Sequence, residues 1–467
     1  MPDKEALNSP DLTRRSMLSL GWGGVAAAPV LLAGSGLGMP NAFAETPSPA
    51  ANGVIDVREH GVRADGVTDD YEAIQRIFDE VLPPEGGVVQ FPAGVCRCGG
   101  RVVSRKKPVI LQGAGRGATR MLFTGNTENQ VGFYFDQQHY PNTLQVRDIS
   151  FVTDQQESGD ALCVDYTPED CMAMRVVQRV HLENINIVGV DIAQHGFRNG
   201  VILRHVNAPV LFNVCVSGRQ PRAGMENRTH TESCIKLVAG AIHVSMPVEA
   251  ALIKCSGYNA RYGVNLIGAH EGLVVTAGNF VECAVGISQV CGPEEGLFPE
   301  SEPLPDGGTR PGIWITDTHC NVFMAGVYLQ DVVQGFINNC LIYKAPDAAQ
   351  DCNGVHLSHC ADIKVHHSMF VSHTREGRFD GIFAENNTSR CQFSNNTFTW
   401  TDYSIHLDEG ASQIHAWENL SQGGSAGKQV DRGHGNRFRN LGENTWRNLN
   451  EDNAEPDQKQ PKQADDE

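Results

Sequence analysis

Helical periodicity is scarce in this 467-residue sequence. Between about residue 108 and residue 420 no apolar stripe recurs at the three- and four-residue spacing of a helix face, which argues against a doubly wound α/β domain. Positive charge is also scarce, with 37 Lys and Arg against 55 Asp and Glu and a net charge of −18. No basic field suited to nucleic acid is left. Part of the negative charge is local. The tail Glu451–Glu467 carries seven acids and two lysines, and Pro293–Pro311 carries five acids and one arginine. A local Arg cluster can still hold an acidic polymer, so net charge does not decide the substrate. A complete cofactor loop is missing too. Gly113-Ala114-Gly115-Arg116-Gly117 follows the strand Pro108–Leu111, yet no helix follows to point its N-terminus at a phosphate. Cys96-Arg97-Cys98 is too short for a zinc site without partners elsewhere. The Asp65-Gly66…Asp69-Asp70 run lacks the alternating ligands and terminal Glu of a calcium loop. No cofactor and no metal ligand is assigned; calcium is left open, without a site.

What the sequence has is one amphipathic stretch and then a repeat. Val54–Asp79 reads as a short strand, a Gly/Asp turn, and a helix near Asp70–Leu82 whose Ala73, Ile74, Ile77, Phe78 and Val81 form one apolar stripe. Asp69 or Asp70 can cap that helix. Pro83-Pro84 ends it, and Gly86-Gly87 leads into the strand Val88–Phe91. Further on, the phrase Gly-(Val/Ile)-x-(Leu/Ile) recurs at Gly200, Gly263, Gly326 and Gly354 and, with Ala384 in the fourth place, at Gly381. The last three marks lie 28 and 27 residues apart, and Ser404-Ile405-His406-Leu407 follows 23 later. Short strands at such a period indicate a stacked solenoid of roughly ten to twelve coils. Asn338-Asn339, Asn386-Asn387 and Asn395-Asn396 suit turns that need left-handed backbone or a ladder of stacked amides.

The order D-x-x-x-x-G-x-x-x-D-G-x-x-D-D, helix, then G-G-x-V-x-F-P-x-G resembles the N-terminal cap of the pectate-lyase-type right-handed parallel β-helix superfamily. The resemblance implies an all-β, single-stranded right-handed parallel β-helix with an N-terminal helical cap. It does not choose one reaction, because similar caps open lyases, glycosidases, epimerases and phage tailspikes. The cap has a physical role of its own. A helix laid over the first coil covers apolar interior and unpaired strand edges.

Residues 1–44 resemble a twin-arginine export signal: Thr13-Arg14-Arg15-Ser16-Met17-Leu18, a weakly apolar Gly/Ala-rich run, and Ala42-Phe43-Ala44 as a cleavage site. The expected division is this signal over 1–44, a linker over 45–53, the cap over 54–107, the β-helix over 108–421 and a polar extension over 422–467 with a disordered end. The resemblance implies a periplasmic or secreted protein without a stable membrane span after cleavage. The 14 cysteines fall roughly one per coil, as small apolar residues stacked inside a solenoid do. A few disulfides remain open, and the oligomeric state is not readable.

Two loops interrupt the repeat, Ser217–Ser233 with Arg219, Arg222, Arg228 and His230, and Cys291–Pro311. Loops that protrude from a solenoid form the walls of its groove. Eliminating a uronate polymer needs a base for the proton beside the carboxylate and a cation to neutralise that carboxylate. Arg261, Tyr262, His270 and Glu271 are the catalytic candidates, expected to point outward together from one central coil. Arg198, Arg219, Arg222, His373, Arg375 and Asp380 are the substrate-binding candidates. The Arg261–Glu271 segment is faintly similar to the Tyr-Gly-x-Asp-x-His-Glu segment of mannuronan epimerases, but Asn265 replaces the Asp and three extra residues precede His270. Hydrolysis needs two carboxyls. The polygalacturonase set is absent, and Asp191, Glu271, Glu282 and Asp380 are the alternative carboxylates. The leading expectation is therefore an exported polysaccharide lyase acting on an acidic polymer. A glycoside hydrolase or uronate epimerase on the same fold is the alternative, as is a non-catalytic scaffold that binds surface polysaccharide.

Overall fold

Short apolar runs broken by single polar residues bury only one side each, and a stack of parallel strands closes that side into a core. The structure is a computed structural model. It describes residues 53–125, 131–138, 143–173, 180–220, 230–240, 247–291, 312–374, 376–422, 428–439 and 446–448. The export-signal reading, nearly all of the linker, most of both interrupting loops, Arg222, Arg375 and the acidic tail lie outside the described residues.

The chain is all-β and winds as a single-stranded right-handed parallel β-helix. Each coil supplies strands to three faces. Face A begins with Val54–Asp56, Gly87–Gln90 and Val109–Gln112. Face B begins with Asp65–Asp69, Gly94–Cys98 and Thr119–Phe123. Face C begins with Val102–Arg105 and Phe133–Asp136 and continues through Tyr262–Ile267, Cys352–Ser358, Phe379–Glu385 and Tyr403–Leu407 to Trp446–Asn448. Long strands such as Asn279–Val290 and His319–Gln330 run through a corner and serve faces B and C. Lys428–Asp431, Arg437–Arg439 and Trp446–Asn448 add rungs beyond Gln422, so the segment read as a polar extension continues the stack. One apolar core runs from Val57 to Ala416.

The cap forms as the sequence predicts. Tyr71–Arg76 is helical, Ile77–Val81 continues it as a wider turn, and Ile74, Ile77, Phe78 and Leu82 are buried. Phe78 meets Phe133 edge-on at 5.9 Å, which seats the helix on the first coils. Of the two capping candidates, Asp69 accepts from Tyr71 N and from Gly99 N, both at 3.1 Å. Asp70 is 1% exposed and instead accepts from Arg63 N and Ala64 N at 2.8 and 3.1 Å, closing the turn before the helix.

The corner between faces A and B is a column of left-handed residues, including Asp148, Asn184, Asn213, Asn339, His367 and Asn395. Asn and Asp tolerate that backbone best. Just inside, Ser368 N donates to Asn396 Oδ1 and Asn396 N to Asn419 Oδ1, each at 3.0 Å. The Asn pairs therefore do both jobs expected of them. All fourteen cysteines are free thiols and twelve are buried. Several spend their weak donor on a carbonyl of the coil below, as Cys360 does on Leu329 O at 3.2 Å. Gly113 closes a turn of the second coil, donating to Arg147 O at 3.0 Å. Among the described residues no helix is long and apolar enough to cross a membrane.

Candidate functional site on face C

The repeat phrase states which side chains leave the core. In Gly-(Val/Ile)-x-(Leu/Ile) the second and fourth residues are buried in the main core, as Val264 and Leu266 are. The x residue points out, and the parallel register stacks x on x. Ile202, Lys236, Asn265, Ser288, Tyr328, His356, Phe383 and His406 form that outward column on face C. The glycine also faces inward. A Cβ on Gly354 would lie 2.3 Å from the Phe370 ring, and one on Gly381 would lie 2.3 Å from Phe398. The glycine thus forces the preceding residue outward, which places Tyr262, Val285, Ala325, Asn353 and Asp380 in a second outward column. Tyr262, Val285, Val290, Ala325 and Tyr328 pack together there as a cluster separate from the core.

The upper part of this surface is polar and aromatic. The His356 ring centre lies 4.9 Å from that of Tyr328 and 4.9 Å from that of Phe383, and Phe383 lies 4.9 Å from His406. His356 Nε2 is 2.9 Å from Glu385 Oε1, and Asn353 Nδ2 is 3.4 Å from His356 Nδ1. The amide can only donate there, so that network assigns the His356 proton to Nε2, where it donates to Glu385. His406 Nδ1 lies 2.7 Å from Asp380 Oδ2, and Arg378 Nε lies 3.4 Å from the same oxygen. Lys344, itself buried, donates through Nζ to the carbonyls of Glu376 and Gly377 and so fixes the turn that carries Arg378. Asp380 is 0% exposed and His406 4% exposed. Among the described residues Asp380 Oδ1 and His406 Nε2 have no hydrogen-bond partner.

Burial sets the proton affinities. It raises the Asp380 carboxyl above the usual carboxylate range, opposed by the His406 hydrogen bond and the Arg378 charge. It raises the Tyr328 phenol as well, and the nearby Glu385 charge adds to that. Tyr262 is raised by burial and partly offset by Arg261.

The four residues expected to act together are dispersed. Tyr262 does point outward, with the Arg261 guanidinium 5.6 Å from its ring centre. Arg261 also reaches Glu232 at 3.8 Å. His270 is 2% exposed, with Nε2 3.1 Å from Ile267 O, and presents nothing to solvent. The expectation of an outward His270 is therefore corrected. Gly268, at φ +81°, turns the chain after Tyr262–Ile267, and Ala269 and His270 beyond it are both buried. Burial pushes the His270 pKa down to about 4. Glu271 is exposed beyond the turn, its N–H donating to Pro247 O.

The binding candidates divide as well. Asp380 belongs to the polar surface just described. Arg198 is exposed on Phe197–Arg204, and Arg219 is half-buried beside Gly196. His373 is exposed but stacks on Tyr343 of face B at 4.9 Å, away from the outward columns of face C. Asp191 turns its carboxylate to Ala193 N and Gln194 Nε2, which closes a local turn. Sequence reasoning missed Tyr328 and His406. The signal was available, because both occupy the x of the repeat phrase. Among the described residues no three His, Cys, Asp or Glu side chains converge as a metal-ligand set.

Comparison with solved structures supports the fold. The A-module of mannuronan C-5 epimerase AlgE6 from Azotobacter vinelandii is similar at TM-score 0.56 and 14% identity, over 83% of this chain and 99% of that one. The AlgE4 A-module from the same organism is similar at TM-score 0.51 and 15% identity, over 82% and 98%. Tailspike protein 3 of bacteriophage CBA120 is similar at TM-score 0.55 and 12% identity, over 85% of this chain and 59% of that one. No curated protein matches the chain in sequence. Residues 54–288 match the model of the family described as rhamnogalacturonase A/epimerase, pectate lyase-like, and the chain belongs to that family.

Proposed function

We propose that the protein is an exported carbohydrate-active enzyme that acts on an acidic polysaccharide by β-elimination. The observation that carries this reading is the outward column on face C, where two His–carboxylate pairs flank Phe383 and adjoin Tyr328. In this reading Asp380 holds His406 through Nδ1 and leaves Nε2 free to take the proton beside a uronate carboxylate. Arg378 neutralises that carboxylate as charge moves onto it. Arg261 and Tyr262 extend the same surface toward the middle coils. Export rests on Thr13–Leu18 and Ala42-Phe43-Ala44 alone. Uronate polymers incubated with the mature protein test the reaction through the short-wavelength ultraviolet absorbance of an unsaturated uronate product. Its absence on every polymer removes elimination.

One observation favours hydrolysis as a second reading. Asp380 has the raised affinity of a general acid, and Glu385 is a second carboxylate on the same strand and face. New reducing ends without that ultraviolet absorbance would select it. Retention of polymer with neither product would select a non-catalytic binder.

A further inference from the structure

We propose that the outer surface of face A over the last coils is a second binding surface for an acidic polysaccharide, separate from face C. The proposal rests on the acidic-polysaccharide reading above and adds a place that reading does not use. The register stacks Trp314, Phe336, Lys364, Gln392, His415 and Arg437 in one outward column. Asn338, His366, Ser394, Trp417 and Arg439 form the column beside it. Trp314 is 41% exposed, and Lys364, His415, Arg437 and Arg439 are exposed. Where the columns end, His415, Trp417, Arg437 and Arg439 line an open depression of about 770 Å³ together with Glu418.

Charge and shape give the occupant. Neither column contains a carboxylate, in a chain whose net charge is −18. Lys364, Arg437 and Arg439 have no ion-pair partner among the described residues. Guanidinium groups pair with carboxylates in a planar, two-pronged geometry, and indole rings offer an apolar face to sugar rings. Adjacent rungs are about 4.8 Å apart, of the same order as one sugar residue in an extended chain. A uronate polymer lying along the columns therefore meets a fresh rung with each residue, first aromatic and then cationic. Nucleic acid offers charge at a different repeat and is distinguished by the test.

The test is the retardation of the full mature chain in gels containing polyuronate, neutral polysaccharide or single-stranded DNA. Wild type is expected to be retarded by polyuronate. Trp417→Ala/Arg437→Ala/Arg439→Ala is expected to bind polyuronate about tenfold more weakly, with turnover of short uronate oligosaccharides unchanged. Lys364→Glu, on an exposed position away from the chain end, is expected to weaken retention in the same direction, while His406→Ala stays retarded. Wild-type retardation of both face A variants overturns the proposal. Equal losses on polyuronate and single-stranded DNA also overturn it, by making the surface a general polyanion site. A wild-type chain that no polyuronate retards removes the acidic-polysaccharide reading itself.

Discussion

His406 Nδ1 and Asp380 Oδ2 lie 2.7 Å apart on the outer side of face C, with both residues almost wholly buried and each keeping one polar atom unpartnered among the described residues. Asp380→Asn keeps a hydrogen-bond acceptor and removes the charge, whereas His406→Ala removes the base. Both are expected to lower kcat/KM about a hundredfold or more. Wild-type turnover in both variants would return attention to Tyr262 and Arg261.

The raised Asp380 affinity has a stability counterpart. The native state keeps a proton that the unfolded chain has lost above about pH 4. Stability is therefore fully present at lower pH and falls as pH rises from there through the raised native value. Asp380→Asn should flatten that fall in a pH series of chemical denaturation.

His270 works in the opposite sense. It is held neutral in the core with a pKa of about 4, against 6.5 for an unperturbed histidine. The unfolded chain binds the proton first on acidification, so stability is full above about pH 6.5 and is lost as pH falls through 4, by roughly 3 kcal/mol in all. His270→Leu should lose this acid sensitivity, measured as melting temperature between those limits. An unchanged slope would mean that the buried imidazole does not control it.

Lys344 tests whether the turn at Glu376–Arg378 is held from beneath. Lys344→Met leaves carbonyls of Glu376 and Gly377 without their donor and should cost about 2 kcal/mol or more in urea unfolding. Because the turn places Arg378 against Asp380, turnover should fall with it.

Gly354→Ala probes the repeat itself. The added methyl would meet the Phe370 ring at 2.3 Å and Gly381 O at 2.4 Å. Overpacking of this kind should cost about 1–3 kcal/mol. A melting temperature equal to wild type would show that the glycine is not required for space.

Much of this protein was determined by the sequence alone. The stripe Ile74–Ile77–Phe78, stopped by Pro83-Pro84, marks an amphipathic helix that the family resemblance makes a cap, and the Gly-(Val/Ile)-x-(Leu/Ile) period indicates a stack. Both are local patterns, and local patterns read directly from residue spacing. Even Tyr328 and His406 stand in a column that the repeat marks, once its x position is known to face outward. The companionship of side chains is different. His356 meets Glu385, 29 residues away, and His406 meets Asp380, 26 residues away, because parallel register places one coil directly on the next. His270 shows the other limit. It follows Tyr262 by eight residues, yet past the left-handed Gly268 it is buried. Which face a turn residue presents depends on backbone angles and on the coil stacked against it, and only the tertiary structure decides those.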